Sequence, residues 1–283
     1  MIAALLLSST LVGFVCTRAG DDGPSIAWDE RDVVIRRSGA SADLAADDIE
    51  EVLERSVATW ALAGDCTDVA PRVGSPTDTI LIGFDWGAGS GSPDNENIVV
   101  FRNDTEGDEL DAWVHALGAL AITTVTWESH SGRLLDADIE VNDSRFHYTA
   151  CDPGQCTVDF DLENTMTHEM GHVLGLDHSA AGDATMYASA PRADLSKRDL
   201  AADDVEGICA IYPADAPTGE CYGVERDDPP DVRFTPTLCA GGTPSGGATL
   251  ALLCVLLRLR RRRRGARSAR LSYADVGAAD LPG

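Results

Sequence analysis

His168-Glu169-Met170-Gly171-His172-Val173-Leu174-Gly175-Leu176-Asp177-His178 carries the spacing H-E-x-x-H-x-x-G-x-x-H. Residues four apart on an α-helix stand one above the other on the same face. His168 and His172 can therefore aim an imidazole nitrogen each at one metal ion. A helix that continued would carry the next residues away from that ion. Gly175 can take the left-handed conformation that ends a helix, so the chain doubles back and His178 arrives from the turn. Three neutral imidazoles suit Zn2+ and leave one tetrahedral position open for water, the arrangement of a catalytic site rather than a structural one. Glu169, directly after the first ligand, is placed to act on that water as general base. The plainer reading is a buried helix whose histidines only hydrogen-bond. It fits poorly, because three of the six histidines in 283 residues fall in this one window.

The rest of the composition limits the partners. The net charge is −25, although eight arginines are crowded between positions 258 and 270. The body is thus more acidic still, which disfavours nucleic acid and anionic membrane as partners and favours a soluble monomer. Acidity also raises Ca2+ as a second cofactor, but no D-x-[DN]-x-[DN]-G loop occurs, and solvated surface is the better reading. Eight cysteines include no C-x-x-C pair. With an export signal present they suggest disulfides. Cys151 and Cys156 are close enough in sequence to staple one loop, and the remaining pairing stays open.

Residues 1–19 read as a signal peptide, apolar to about Gly13 and ending among small residues, with cleavage near Gly13 or near Ala19. Residues 32–37 alternate as a first strand. Residues 43–63 place Leu44, Ile49, Val52, Leu53, Val57, Trp60 and Ala61 at helical spacing and end at Gly64. Runs at 79–84, 97–101, 117–127 and 134–141 supply four more strands. Asp161 is positioned to cap the metal-binding helix. Ser196-Lys197-Arg198-Asp199 resembles a capping box opening a last helix that stops before Pro213. Asp136, Asp138 and Glu140 alternate onto one side of their strand, read as a solvated acidic face with calcium as the lesser alternative. His130 and His147 lie in or near loops, where solvated surface is the simpler reading.

With Met186 downstream, H-E-x-x-H-x-x-G-x-x-H resembles the metzincin zinc proteases, and within them the matrixins. The likeness covers roughly residues 28–212. It is densest where T-x-x-H-E-M-G-H-V-L-G-L-D-H-S, T-M-Y and D-D-V-E-G-I-C-A-I-Y-P stand in order. It implies an α+β metzincin (zincin-like) fold: a twisted, mostly parallel five-stranded sheet, long helices and a small C-terminal subdomain. It implies zinc on His168, His172 and His178, Glu169 as base, and Met186 as the floor beneath the metal. Residues 187–196 would wall the specificity pocket, and Asp203 and Asp204 would brace the last helix against the Met-containing turn. Asp138 stands where animal matrixins place a histidine ligand of a structural zinc, so that second zinc is expected to be absent. Residues 71–78 superficially resemble the cysteine-switch peptide, but the cysteine position is Val73 and the likeness is read as coincidence.

The resulting plan is a catalytic domain over residues 20–212, a linker over 213–247, an apolar run with an arginine cluster over 248–264 and a terminal extension over 265–283. The tail resembles the sorting signal of myxobacterial surface proteins, with Cys239-Ala240-Gly241-Gly242 as its processing region. Membrane contact would come only through this tail before processing, and the destination would be extracellular or cell-surface. The expected activity is endopeptidase action on a protein or peptide substrate that pairs with a sheet edge near Leu120, Ala121 and Ile122. The alternative is a non-catalytic surface binding protein on the same fold, which the intact Glu169 and ligand set argue against.

Overall fold

The computed structural model describes residues 13–20, 23–88, 95–103, 112–151, 159–219 and 221, together with the backbone of 268–275. In chain order the elements are β1 (Val15–Cys16), β2 (Val34–Ser38), α1 (Ala46–Ala61), β3 (Arg72–Val73), β4 (Ile98–Phe101), β5 (Ala121–Glu128) and β6 (Leu134–Val141). After them come β7 (Tyr148–Thr149), β8 (Phe160–Asp161), α2 (Leu162–Val173), β9 (Leu176–Asp177), a 3-10 turn (Ser196–Arg198), α3 (Ala202–Ile211) and β10 (Ser268–Asp275).

The main sheet has the order β10-β5-β6-β4-β2-β3. β3, β2, β4 and β6 run parallel, and β5 is antiparallel to β6. Without β10 this is the expected α+β layout, a mostly parallel five-stranded sheet with helices. α1 buries Ile49, Val52, Leu53, Val57 and Trp60, the stripe its spacing called for. Each such side chain stabilises by about 1.5–3 kcal/mol when fully withdrawn from water. Trp60 anchors α1 on α2, its indole Nε1 donating to the Thr167 carbonyl at 2.8 Å.

The outcome differs from expectation in several places. Residues 79–84 form no strand, and β3 takes that place in the sheet. Side chains satisfy the backbone of the former run instead. Ser38 Oγ donates to the Thr79 carbonyl, the Asp138 carboxylate accepts from Gly83 N, and Gly83 has φ +81°. β3 lies at the sheet edge opposite β5 and β10. The last helix begins at Ala202 rather than at Ser196. Its first turn is closed by Asp204, whose carboxylate accepts from Ala201 N at 2.8 Å.

Residues 13–19, given to the signal peptide, are built into the body. β1 pairs antiparallel with β9, and Cys16 is bonded to Cys221. Residues 213–219 and Cys221, given to the linker, are held as well: Ala214 N donates to the Cys66 carbonyl and Gly219 N to the Ile211 carbonyl. A second bridge joins Cys66 to Cys209. Cys151 is also disulfide-bonded. Its suggested partner Cys156 lies outside the described residues, as do residues 1–12, Cys239 and the apolar and arginine-rich runs. The terminal extension contains β10, which covers the outer side of β5 along its whole length, from Ser268 opposite Glu128 to Asp275 opposite Ala121.

Candidate metal centre

All twelve residues of α2 are buried, although seven are polar. Buried polar side chains must find partners, so the placement of each group here is strongly constrained. The helix starts on Asp161, which accepts from Asn164 N at 2.7 Å. Arg198 holds the same carboxylate through Nε at 2.8 Å.

His168 and His172 are buried and His178 is partly so. Their ligand nitrogens lie within 4.8 Å of one another, the one cluster of its kind among the described residues. His168 Nδ1 meets the Thr185 carbonyl at 2.5 Å, and His172 Nδ1 meets the Leu176 carbonyl at 2.8 Å. A carbonyl can only accept, so Nδ1 carries the proton in both rings and Nε2 presents its lone pair. Neutral, oriented imidazoles of this kind fit Zn2+. The buried Lys197 ammonium stands 3.2 Å from His168 Nδ1 and donates to the Tyr187 carbonyl.

Gly175 has φ +95°, and a Cβ there would strike the Ile26 carbonyl oxygen. Conformation and space both require glycine, and the reversal brings His178 back to the helix. Glu169 is fully buried, and the Thr123 hydroxyl on β5 donates to its Oε2 at 2.5 Å. Glu169 and the outer strand of the body are therefore in direct contact.

Met186 is buried beside Gly171, where a Cβ would collide with its sulfur and come within 2.9 Å of Trp60. Asp204 accepts from Thr185 N at 2.7 Å and from Met186 N at 3.0 Å, so it does tie the last helix to the Met-containing turn. Burial raises its pKa, with the N–H groups of Met186, Thr185 and Ala201 acting in the other direction. Asp203 takes a different contact, accepting from Ser179 Oγ and from Gly13 N, each at 2.6 Å.

Asp136, Asp138 and Glu140 are buried, so the expected solvated face is wrong. Glu140 pairs with Arg102 and His115, each at 2.8 Å. Asp138 accepts from Gly83 N at 2.6 Å and Ile98 N at 3.1 Å. Their strand β6 lies between β5 and β4, where these acids replace apolar packing with hydrogen bonds. His147 is exposed and pairs with Asp43; His130 is exposed.

Thr123, Gly171 and Lys197 were not anticipated from sequence. Thr123 is one of several β-branched residues in its strand, with no motif to single it out. Gly171 had a signal: glycine inside a helix costs about 1 kcal/mol relative to alanine and calls for a packing reason.

Residues 27–213 match the family model described as Matrixin. Metalloendoproteinase 4-MMP of Arabidopsis thaliana is 30% identical over 171 residues, 60% of this chain and 41% of that protein. Metalloendoproteinase 1-MMP of the same plant is 48% identical over 59 residues, 21% of this chain and 16% of that protein. Stromelysin-1 of Mus musculus is 42% identical over 71 residues, 25% of this chain and 13% of that protein. The matched stretches span less than half the length of each of these relatives.

Proposed function

The chain belongs to the matrixin family of metalloendopeptidases, and from that premise we propose that it is a zinc-dependent endopeptidase with Glu169 as general base. The observation that carries the reading is the convergence of His168, His172 and His178, two of them anchored through Nδ1, with Glu169 next in sequence to the first. Zinc bound there supplies Lewis acidity toward water and toward the scissile carbonyl. Glu169 takes a proton from the attacking water and delivers it to the leaving amine as the peptide bond breaks. The Thr123 hydroxyl holds the carboxylate in place. The substrate is a protein or peptide in extended form, paired by its main chain to the outer edge of β5.

The disulfides support an exported protein working in an oxidising compartment. Cys16 is needed for one of them, which favours signal cleavage near Gly13 over cleavage near Ala19. Surface sorting by the tail at Cys239 and the arginine cluster belongs to the same reading, as does a monomeric state.

Casein hydrolysis and zinc content, measured on the protein and on Glu169→Ala, test the proposal. The parent should cleave, and the variant should lose at least about 100-fold to 10,000-fold. Each should carry about one zinc per chain. Undiminished cleavage by Glu169→Ala would remove Glu169 from the mechanism. Two zinc ions per chain would overturn the expected loss of the structural site.

A further inference from the structure

β5 has two edges. One is paired to β6, and the other is paired along all eight residues to β10. A strand edge offers its N–H and C=O groups to one partner at a time. Any peptide that would add to β5 by main-chain hydrogen bonds must therefore use the groups β10 already uses. The register places this overlap at the chemistry. Thr123, which donates to Glu169, is the residue opposite Tyr273, with Ile122 opposite Ala274 and Thr124 opposite Ser272. β10 crosses β5 level with the residue that touches the base, and it is antiparallel to it.

We propose that Ser268–Asp275 is an intramolecular inhibitory strand that occupies the substrate edge of β5 until it is displaced or removed. The proposal rests on the endopeptidase reading above for the meaning of that edge. The competition is intramolecular, so the strand acts at an effective concentration on the order of millimolar, well above what most peptide substrates reach. A cut in the connecting segment turns the same strand into a free peptide, and the advantage is lost on dilution. The device thus couples access to the site to the covalent continuity of the C-terminal region.

The test compares the full chain with a chain ending at Arg267 and with the full-length double variant Ser272→Pro, Tyr273→Pro. Successive N–H groups along a strand face opposite edges, so adjacent prolines remove one ladder donor whichever parity holds. Two readouts are taken on all three proteins: amide hydrogen exchange of residues 121–128, and kcat/KM on a fluorogenic peptide. Both shortened and proline-bearing proteins should exchange faster at alternate β5 amides. They should also show kcat/KM raised at least about tenfold, chiefly through a lower KM. A synthetic peptide of residues 268–275 should inhibit the shortened chain competitively. Unchanged exchange, or equal kcat/KM in proteins that do cleave, overturns the proposal. Faster exchange with no cleavage by any of the three upholds the covering strand and sinks the endopeptidase reading instead.

Discussion

Gly171 stands inside α2, where alanine would be the better helix former by about 1 kcal/mol. The fold needs the smaller residue because Met186 and the Trp60 ring approach the space a methyl group would fill. Gly171→Ala should therefore lose stability, by about 1–3 kcal/mol as overpacked cores do, read as a lower urea midpoint at unchanged slope. A variant as stable as its parent would mean that Met186 gives way freely. The histidine cluster was legible because metal ligation constrains spacing: His168, His172 and His178 lie in one short window. Thr123 was hidden because its partner, Glu169, is 46 residues away along the chain, and no local pattern marks such a pair.

At the level of elements, helical periodicity identified α1, and runs of strand-forming residues identified most of the sheet. The same reading misplaced residues 79–84, where side-chain partners replaced the ladder, and it misread β6. Alternating acids on a strand ordinarily mean a wet face; here the strand is internal. The Asp138 carboxyl is raised well above 3.8, first by burial and then by the Asp136 carboxylate beside it, against the lowering effect of Gly83 and Ile98 N–H groups. The folded state then binds more protons than the unfolded one, so stability falls as pH rises from roughly 4 through the raised value. Asp136→Asn removes the neighbouring charge and should flatten that fall. Thermal midpoints across the range check it, and equal slopes in parent and variant would acquit the pair. Glu140 runs the other way. Burial alone would raise it, but the His115 hydrogen bond and the Arg102 and His115 charges hold it below 4.5. Its contribution is present above that value and lost as pH falls through the folded pKa.

Across the whole molecule, Cys16 and Cys221 join residues 205 apart in sequence, a pairing that the cysteine positions did not reveal. The bridge fastens β1 and the segment after α3 to a body that holds the histidine cluster. Cys16→Ser should cost about 2–5 kcal/mol, seen as a lower thermal midpoint, and mild reduction of the parent should approach the same value. A midpoint unmoved by either would show that β1 is held by its packing on β9 and α3 instead. The bridge has a mechanical consequence too. Tension applied to the chain before Cys16 and after Cys221 passes through a sulfur–sulfur bond and bypasses α2, the Met-containing turn and the ladder of β4, β6 and β5. Among the described strands that follow Cys16, β10 alone lies beyond that short circuit. A pull on the far end of the chain therefore loads the β5–β10 pairing first and, once that has parted, the bridge rather than the histidines.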